Sequence, residues 1–140
     1  MKSIILSLTI AAVASGAYAQ THMSSADISA RLSAAGYTEI KELEFEDGVW
    51  EAEAIRADGS RAEVAIDGNG NVLDIASGQP LLTRDAVIAM IQSAGYHNVH
   101  DLDRDGAIWD ADAIDQQGQR MELRVNAFDG SVLNAQVDND

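Results

Sequence analysis

The chain has 140 residues, with 23 acidic and nine basic side chains, and its formal net charge of −14 disfavours nucleic acid and anionic lipid as partners. The absence of cysteine excludes disulfides and a cysteine nucleophile. A surface with this negative charge attracts cations or a basic protein. The simpler and favoured explanation of the charge is that it keeps an exported protein soluble.

The first residues have the pattern of a secretory signal peptide. Lys2 supplies a short positive region, residues 4–13 an apolar stretch, and residues 17–19 an A-x-A cleavage signal. The apolar stretch is too short for a membrane span, and no stop-transfer segment follows it. We expect residues 1–19 to be removed by cleavage near Ala19, which leaves a periplasmic or secreted protein without membrane insertion.

Residues 24–140 carry one pattern twice, at an offset of 59 positions. An offset of this length indicates two whole structural copies. Only the last turn differs, because repeat 2 has one extra residue there. We expect a tail of residues 20–23, repeat 1 at residues 24–76, a linker at residues 77–82 and repeat 2 at residues 83–140. The matching positions are Gly36-Tyr37 with Gly95-Tyr96, residues 50–55 with 109–114, and Gly59, Arg61 and Glu63 with Gly118, Arg120 and Glu122.

Each repeat is predicted to begin with an amphipathic helix. In repeat 1, Ile28, Leu32 and Ala35 recur at the i, i+4 and i+7 spacing of one helix face, and the equivalent residues of repeat 2 do the same. Ser24 and Asp27 have the spacing of a capping box, with aspartate in place of the usual glutamate. The helix is therefore expected to start just after Ser24.

The predicted helix of repeat 2 begins at a Thr83 N-cap, and both helices end at a Gly-Tyr pair. Gly36 and Gly95 can take the positive φ of the C′ position. Tyr37 and Tyr96 then lie at C″ and fold back on the helix. Local structure thus explains both tyrosines and is favoured over a catalytic or ligand-binding role.

After each helix the apolar period changes from 3.6 to 2 residues, which indicates strands. A three-residue loop at residues 57–59 pairs Ala54 with Ala62 and keeps the apolar side chains on one face, whereas a two-residue turn would not. The sequence predicts an α+β fold of two tandem repeats, each with one helix packed on one face of a three- to four-stranded antiparallel meander. In repeat 1 the strands are expected at residues 42–46, 50–55, 61–66 and 72–76.

The strand and turn motifs follow the same order in both repeats. Repeat 1 has Gly-Tyr at the helix end, then DGVWEAEA, an Asp-Gly turn, RAEVAID and NGNVL, and repeat 2 has DGAIWDADAIDQQGQRMELRVNAFDGSVL. Each stretch resembles a PepSY domain. Such domains occur in propeptides of secreted metallopeptidases and in stand-alone exported proteins, so the resemblance implies peptidase inhibition or regulation, or a more general extracytoplasmic binding role. It implies no catalytic residues, and the chain has no peptidase portion.

The predicted hairpins place Glu53 opposite Glu63, and Asp112 opposite Glu122, on the face away from the helix. Like charges in this arrangement destabilise a sheet. This arrangement occurs in both repeats. We hypothesise that the face binds a cation or a basic protein surface, and a solvated face with screened charges is the favoured alternative. The residues assigned to partner binding are Glu51, Glu53, Ile55, Glu63, Asp110, Asp112, Ile114 and Glu122.

One acidic segment of repeat 2 matches a calcium loop of the EF-hand type. Asp101, Asp103, Asp105 and Asp112 take ligand positions 1, 3, 5 and 12, with Gly106 at position 6. Predicted strands flank the segment, and its counterpart in repeat 1 lacks the glycine. An edge strand that alternates acidic and apolar residues is therefore favoured over a calcium site.

The histidines suggest one further metal candidate. His97 and His100 differ in parity, so on one strand they are expected to face opposite sides and not to share a metal. His22 would be the third residue after cleavage at Ala19, and a free amine with histidine in third place binds copper(II) or nickel(II). A histidine carried by a flexible tail is the favoured explanation, since a terminal Gln20 can cyclise and then offers no free amine.

The parts of a known enzyme are missing from the sequence. It has no Gly-x-Ser-x-Gly elbow, no phosphate loop and no His-Glu-x-x-His motif. We predict an exported, non-catalytic binding or regulatory module without a cofactor, whose partner is a protein such as a secreted peptidase. The alternative is an acidic periplasmic protein that binds calcium or a transition metal.

Overall fold

The computed structural model describes residues 22–140, so the predicted signal peptide and the first two residues of the predicted tail lie outside the described residues. Each repeat has one helix followed by a four-stranded antiparallel sheet with its strands in chain order, which confirms the predicted α+β fold. Among the described residues, no helix is long and apolar enough to cross a membrane. Repeat 1 contains α1 (Ser25–Ala34), β1 (Thr38–Glu46), β2 (Val49–Ile55), β3 (Arg61–Ile66) and β4 (Val72–Leu73), and repeat 2 contains α2 (Arg84–Ser93), β5 (His97–Asp105), β6 (Ile108–Ile114), β7 (Arg120–Asn126) and β8 (Val132–Val137).

Both ends of α1 have the predicted capping geometry. The Ser24 hydroxyl accepts a hydrogen bond from the Asp27 amide, and the Asp27 carboxylate accepts one from the Ser24 amide. At the other end Gly36 has φ +94°, and the Tyr37 amide donates to the Leu32 carbonyl at 3.0 Å. This is a Schellman motif, and α2 ends in the same way.

The predicted register of the central hairpin is confirmed. Ala54 pairs with Ala62, and Glu53 lies opposite Glu63, as the three-residue loop requires. The loop closes with a hydrogen bond of 2.8 Å from the Arg56 amide to the Ser60 carbonyl. Repeat 2 has the equivalent register, so like charges do face each other in both sheets.

Each helix packs on one face of its own sheet. Ile28 and Leu32 of α1 are fully buried against Ala52, Val64 and Ile66, and the equivalent residues of repeat 2 form a second core. Burial of each large aliphatic side chain contributes about 1.5–3 kcal/mol. The opposite face of each sheet, here called the outer face, carries the alternating acidic residues.

A third core joins the two repeats through their outer faces. Val49 and Ile108 are equivalent residues at the starts of β2 and β6, and both are almost fully buried. The two repeats thus complete each other's apolar surface, which suits small domains that have no disulfides. The other members of this core are Ala65, Leu73, Ala107, Phe128 and Leu133.

The last strand of repeat 1 is shorter than the predicted residues 72–76. It ends at Leu73, because the Asp74 carboxylate accepts a hydrogen bond from the Ala76 amide at 2.9 Å and the chain turns there. In repeat 2 an asparagine, Asn134, takes the equivalent place, and β8 continues to Val137.

Bulges that were not predicted shape β1 and β5. Glu39 and Glu42 have φ values of +50°, and the register of β1 against β2 shifts at both. Three residues of β1 therefore span two residues of β2, so that Thr38, Lys41 and Glu44 all lie on the outer face.

The same bulges in β5 correct the prediction for two histidines. Asn98 and Asp101 have φ values of +53° and +49°, and His97 and His100 pair with Ile114 and Asp112. These two partners lie on one face of β6, so the histidines share the outer face. The prediction that they face opposite sides was wrong, because the alternation of odd and even positions holds only in a strand without bulges.

Candidate binding groove

Two acidic clefts flank the core between the repeats. Cleft 1 lies on the outer face of β1 to β3 and is closed by the turn between β5 and β6. This open cleft has a volume of about 200 Å³, more than ten times the ~10–15 Å³ that one water molecule needs. Ala65 and Ile108 are among its apolar residues, and within residues 22–140 no basic side chain lines it. Its acidic residues are Glu42, Glu44, Glu51, Glu53, Glu63 and Asp105.

Cleft 2 is the counterpart of cleft 1 in the other repeat. It lies on the outer face of repeat 2 and is closed by Glu46 and Asp47 from the turn between β1 and β2. The two clefts differ at one equivalent position in particular, which is a basic residue, Arg124, in cleft 2 and an alanine, Ala65, in cleft 1. Cleft 2 repeats the acidic positions 42, 51, 53 and 63 of cleft 1 as Asp101, Asp110, Asp112 and Glu122.

Arg124 links the two repeats inside cleft 2. Its guanidinium Nη2 lies 2.5 Å from Oε1 of Glu51, and its Nε lies 3.3 Å from Oδ1 of Asp110. Its Nη1 donates to the Glu46 carbonyl at 3.1 Å. Since Glu51 and Asp110 are equivalent residues of the two repeats, one arginine offsets the acidic charge on both sides.

Burial and nearby negative charge shift the pKa of Arg124 in opposite directions. Burial alone would lower the pKa of the Arg124 guanidinium, but the hydrogen bond and charge of Glu51 outweigh it and hold the pKa above its usual value. Burial raises the pKa of the Asp110 carboxyl, and the nearby Arg124 offsets this only in part. The pKa of Arg124 therefore stays high although its side chain is largely buried between the repeats.

The structure brings six of the eight predicted partner-binding residues into the clefts. Ile55 and Ile114 are half-buried and lie outside both linings. Glu51 and Asp110 already contact Arg124, and Glu122 accepts a hydrogen bond from Gln136 at 2.7 Å. The six residues are Glu51, Glu53, Glu63, Asp110, Asp112 and Glu122.

Sequence reasoning missed three contributors to these clefts. Arg124 was detectable in principle, since repeat 2 has a basic residue there where repeat 1 has an alanine, Ala65, in a strand. Glu42 and Glu44 were assigned to an edge strand, but the cleft forms only when the other repeat packs beside them. No local pattern encodes that packing.

The sheet brings together only two of the four acidic residues of the calcium-like segment. Residues 101–112 form the second half of β5, a turn and most of β6. Asp101 and Asp112 come together with His100, and their ligand atoms lie within 4.8 Å of one another. Asp103 and Asp105 are not in this group, which is the one such group found among the described residues.

His22, the remaining metal candidate, contacts an aromatic ring. Its ring centroid lies 4.5 Å from that of Phe45, which in turn lies 5.3 Å from Trp50. The amine that would bind copper or nickel beside it belongs to Gln20, outside the described residues.

A separate polar cluster stabilises repeat 1. The Arg56 guanidinium donates two hydrogen bonds of 2.7 Å to the Asp74 carboxylate, and the Tyr37 hydroxyl donates a third, also of 2.7 Å. The hydrogen bonds from Arg56 lower the pKa of Asp74 to about 2. Burial, with the hydrogen bond to Asp74, raises the pKa of Tyr37 to about 12. The cluster connects the helix end, the hairpin and β4, which indicates a structural role.

Comparison with known proteins identifies the repeated unit. The family model described as peptidase propeptide and YPEB domain matches residues 3–75 and again residues 76–136. No curated protein and no solved structure matches the chain.

Proposed function

Because the chain belongs to the peptidase propeptide and YPEB domain family, with two matches along its length, we propose that it is a non-catalytic module that inhibits or modulates a peptidase or another envelope protein. The signal-peptide pattern of residues 1–19 supports action in the periplasm or outside the cell. Cleft 1 is the observation on which the proposed mode of binding rests.

Cleft 1 has the charge and shape to receive a basic segment of a partner. Six carboxylates line it, and in the described part of the chain neither Glu53 nor Glu63 forms an ion pair. Its acidic wall is joined to apolar residues that include Ala65 and Ile108, so an aliphatic stem and a cationic head would both find contacts. A charge of −14 would also speed the encounter with a basic partner.

Cleft 2 supplies an internal example of such binding. There the Arg124 guanidinium contacts Glu51 of one repeat and Asp110 of the other. The equivalent position in cleft 1 is Ala65, which leaves the space beside Glu53 and Glu63 open. We expect an arginine or lysine of the partner to occupy that space.

Titration of the exported chain, starting at Gln20, into a co-secreted peptidase tests this proposal. We expect loss of peptidase activity at a 1:1 ratio, and weaker binding at high salt because the contacts are charged. Glu53→Gln with Glu63→Gln should weaken binding at least about tenfold, or ~1.4 kcal/mol, because two carboxylates of cleft 1 are lost.

The matched control is Glu39→Gln with Asp85→Asn, which changes the net charge equally at exposed positions outside the clefts. We expect this pair to change binding less than about threefold, since steering by net charge is weak at moderate salt. Equal losses in the two pairs would show that only net charge matters. If the exported chain has no effect on the activity of secreted peptidases, the proposed role in peptidase inhibition is wrong.

A further inference from the structure

His100 lies on the outer face of β5 beside two aspartates, where no part of the proposed partner binding uses it. Its Nε2 is 3.8 Å from Oδ2 of Asp101, and ligand atoms of His100, Asp101 and Asp112 lie within 4.8 Å of one another. Ligands bound to one zinc ion at 2.0–2.2 Å lie roughly 3.3 Å apart in a tetrahedral site. Since the side chain of Asp101 is 79% exposed, a small rotation would close that gap.

The imidazole is already oriented with one nitrogen towards the carboxylates. Nδ1 of His100 lies 2.8 Å from the carbonyl oxygen of Asn98, so in a neutral ring Nδ1 carries the proton and donates it to that oxygen. Nε2 then keeps its lone pair on the side of Asp101. Histidines that bind metals through one nitrogen commonly donate the other to a backbone carbonyl in this way.

Repeat 1 provides an independent comparison for this cluster. Its equivalent residues are Lys41, Glu42 and Glu53, and Lys41 lies opposite Glu53 as His100 lies opposite Asp112. Repeat 1 therefore has a lysine in place of the histidine, and a lysine ammonium group has no lone pair to offer a metal ion. Repeat 2 has there an imidazole whose Nε2 can offer a lone pair to a metal ion beside the two carboxylates.

We infer that His100, Asp101 and Asp112 form a binding site for one divalent transition-metal ion, with zinc the best match. One imidazole and two carboxylates suit zinc, and three protein ligands leave a fourth position for water. Calcium is a poorer match because it takes six to eight oxygen ligands. The site lies on repeat 2, and its occupation is independent of whether a peptidase binds cleft 1.

Calorimetric titration of the exported chain with zinc chloride alone, in a buffer that does not bind zinc, tests the inference. We expect one ion per chain. His100→Ala and Asp112→Asn should each weaken binding at least tenfold, since each removes one of three ligands. His97→Ala is the matched control, because His97 shares the strand and the face but not the cluster.

His100→Lys is the most informative variant, since it gives repeat 2 the arrangement that repeat 1 already has. It should keep the fold, which circular dichroism checks, and abolish zinc binding. The single variant His22→Ala should still bind one zinc ion per chain, which distinguishes this site from a site at the N-terminus. An absence of zinc binding, or equal binding by His100→Ala, would overturn the inference.

Discussion

At the scale of single residues, the hydrogen-bonded cluster of Tyr37, Arg56 and Asp74 should determine part of the stability at low pH. The pKa of Asp74 is about 2 when folded, below its ordinary value of 3.8. Its stabilising effect is therefore complete above about pH 4 and is lost as the pH falls through 2. Asp74→Asn should lower the free energy of unfolding at neutral pH by about 2 kcal/mol, measured by urea denaturation.

The pH profile separates this effect from general destabilisation. Between pH 4 and pH 2 the difference between wild type and Asp74→Asn should shrink, because Asp74 becomes protonated in the wild type. At high pH the titrating group is Tyr37, whose pKa of about 12 exceeds the ordinary 10.0. Its contribution to the free energy of unfolding is therefore complete below pH 10 and is lost only above it. Glu39→Gln, at an exposed acid, is the control. A constant difference at every pH would contradict this account.

At the scale of elements, the helix ends depend on glycine conformation. Gly36 has φ +94°, and a Cβ there would meet only the Cβ of Ala57 at 3.8 Å, so the cost of a side chain is conformational and not steric. Gly36→Ala should destabilise the protein by about 1–2 kcal/mol in thermal or urea unfolding. Gly68→Ala is the matched control, because Gly68 lies in a turn, has no positive φ and has open space around it. That variant should be neutral or slightly stabilising, and equal losses in both would contradict the role assigned to Gly36.

At the scale of the whole molecule, Arg124 holds together two acidic surfaces. Arg124→Ala gives cleft 2 the alanine that cleft 1 has, and it leaves Glu51 and Asp110 facing each other without a cation. Because these carboxylates are about half exposed, at 43% and 52%, we expect a loss of about 1–2 kcal/mol, less than for a fully buried pair.

Salt distinguishes this mechanism from simple loss of packing. Moderate salt should recover part of the stability of Arg124→Ala, since it screens the repulsion between Glu51 and Asp110. Hydrogen exchange should become faster around Val49 and Ile108, where the repeats meet. Arg61→Ala, at an exposed position of β3, serves as the control for removing an arginine. If the stability lost in Arg124→Ala does not change with salt, the electrostatic explanation is wrong.

The sequence alone determined what depends on neighbouring residues. Helix caps, the Gly-Tyr helix ends and the hairpin register follow from short-range periodicity and turn chemistry, and Ser24, Gly36 and the pairing of Glu53 with Glu63 all lie where predicted. The duplication added the fold class, because each motif could be compared with its copy.

Only the tertiary structure decided the features that depend on distant contacts. The bulges at residues such as Glu42 and Asp101 arise in pairing with the next strand, and they reversed the expected separation of His97 and His100. The packing of Val49 against the other repeat, and the insertion of Arg124 between them, join residues more than 50 positions apart. Periodicity reports which face of a strand is apolar, but it contains no information on what covers the opposite face.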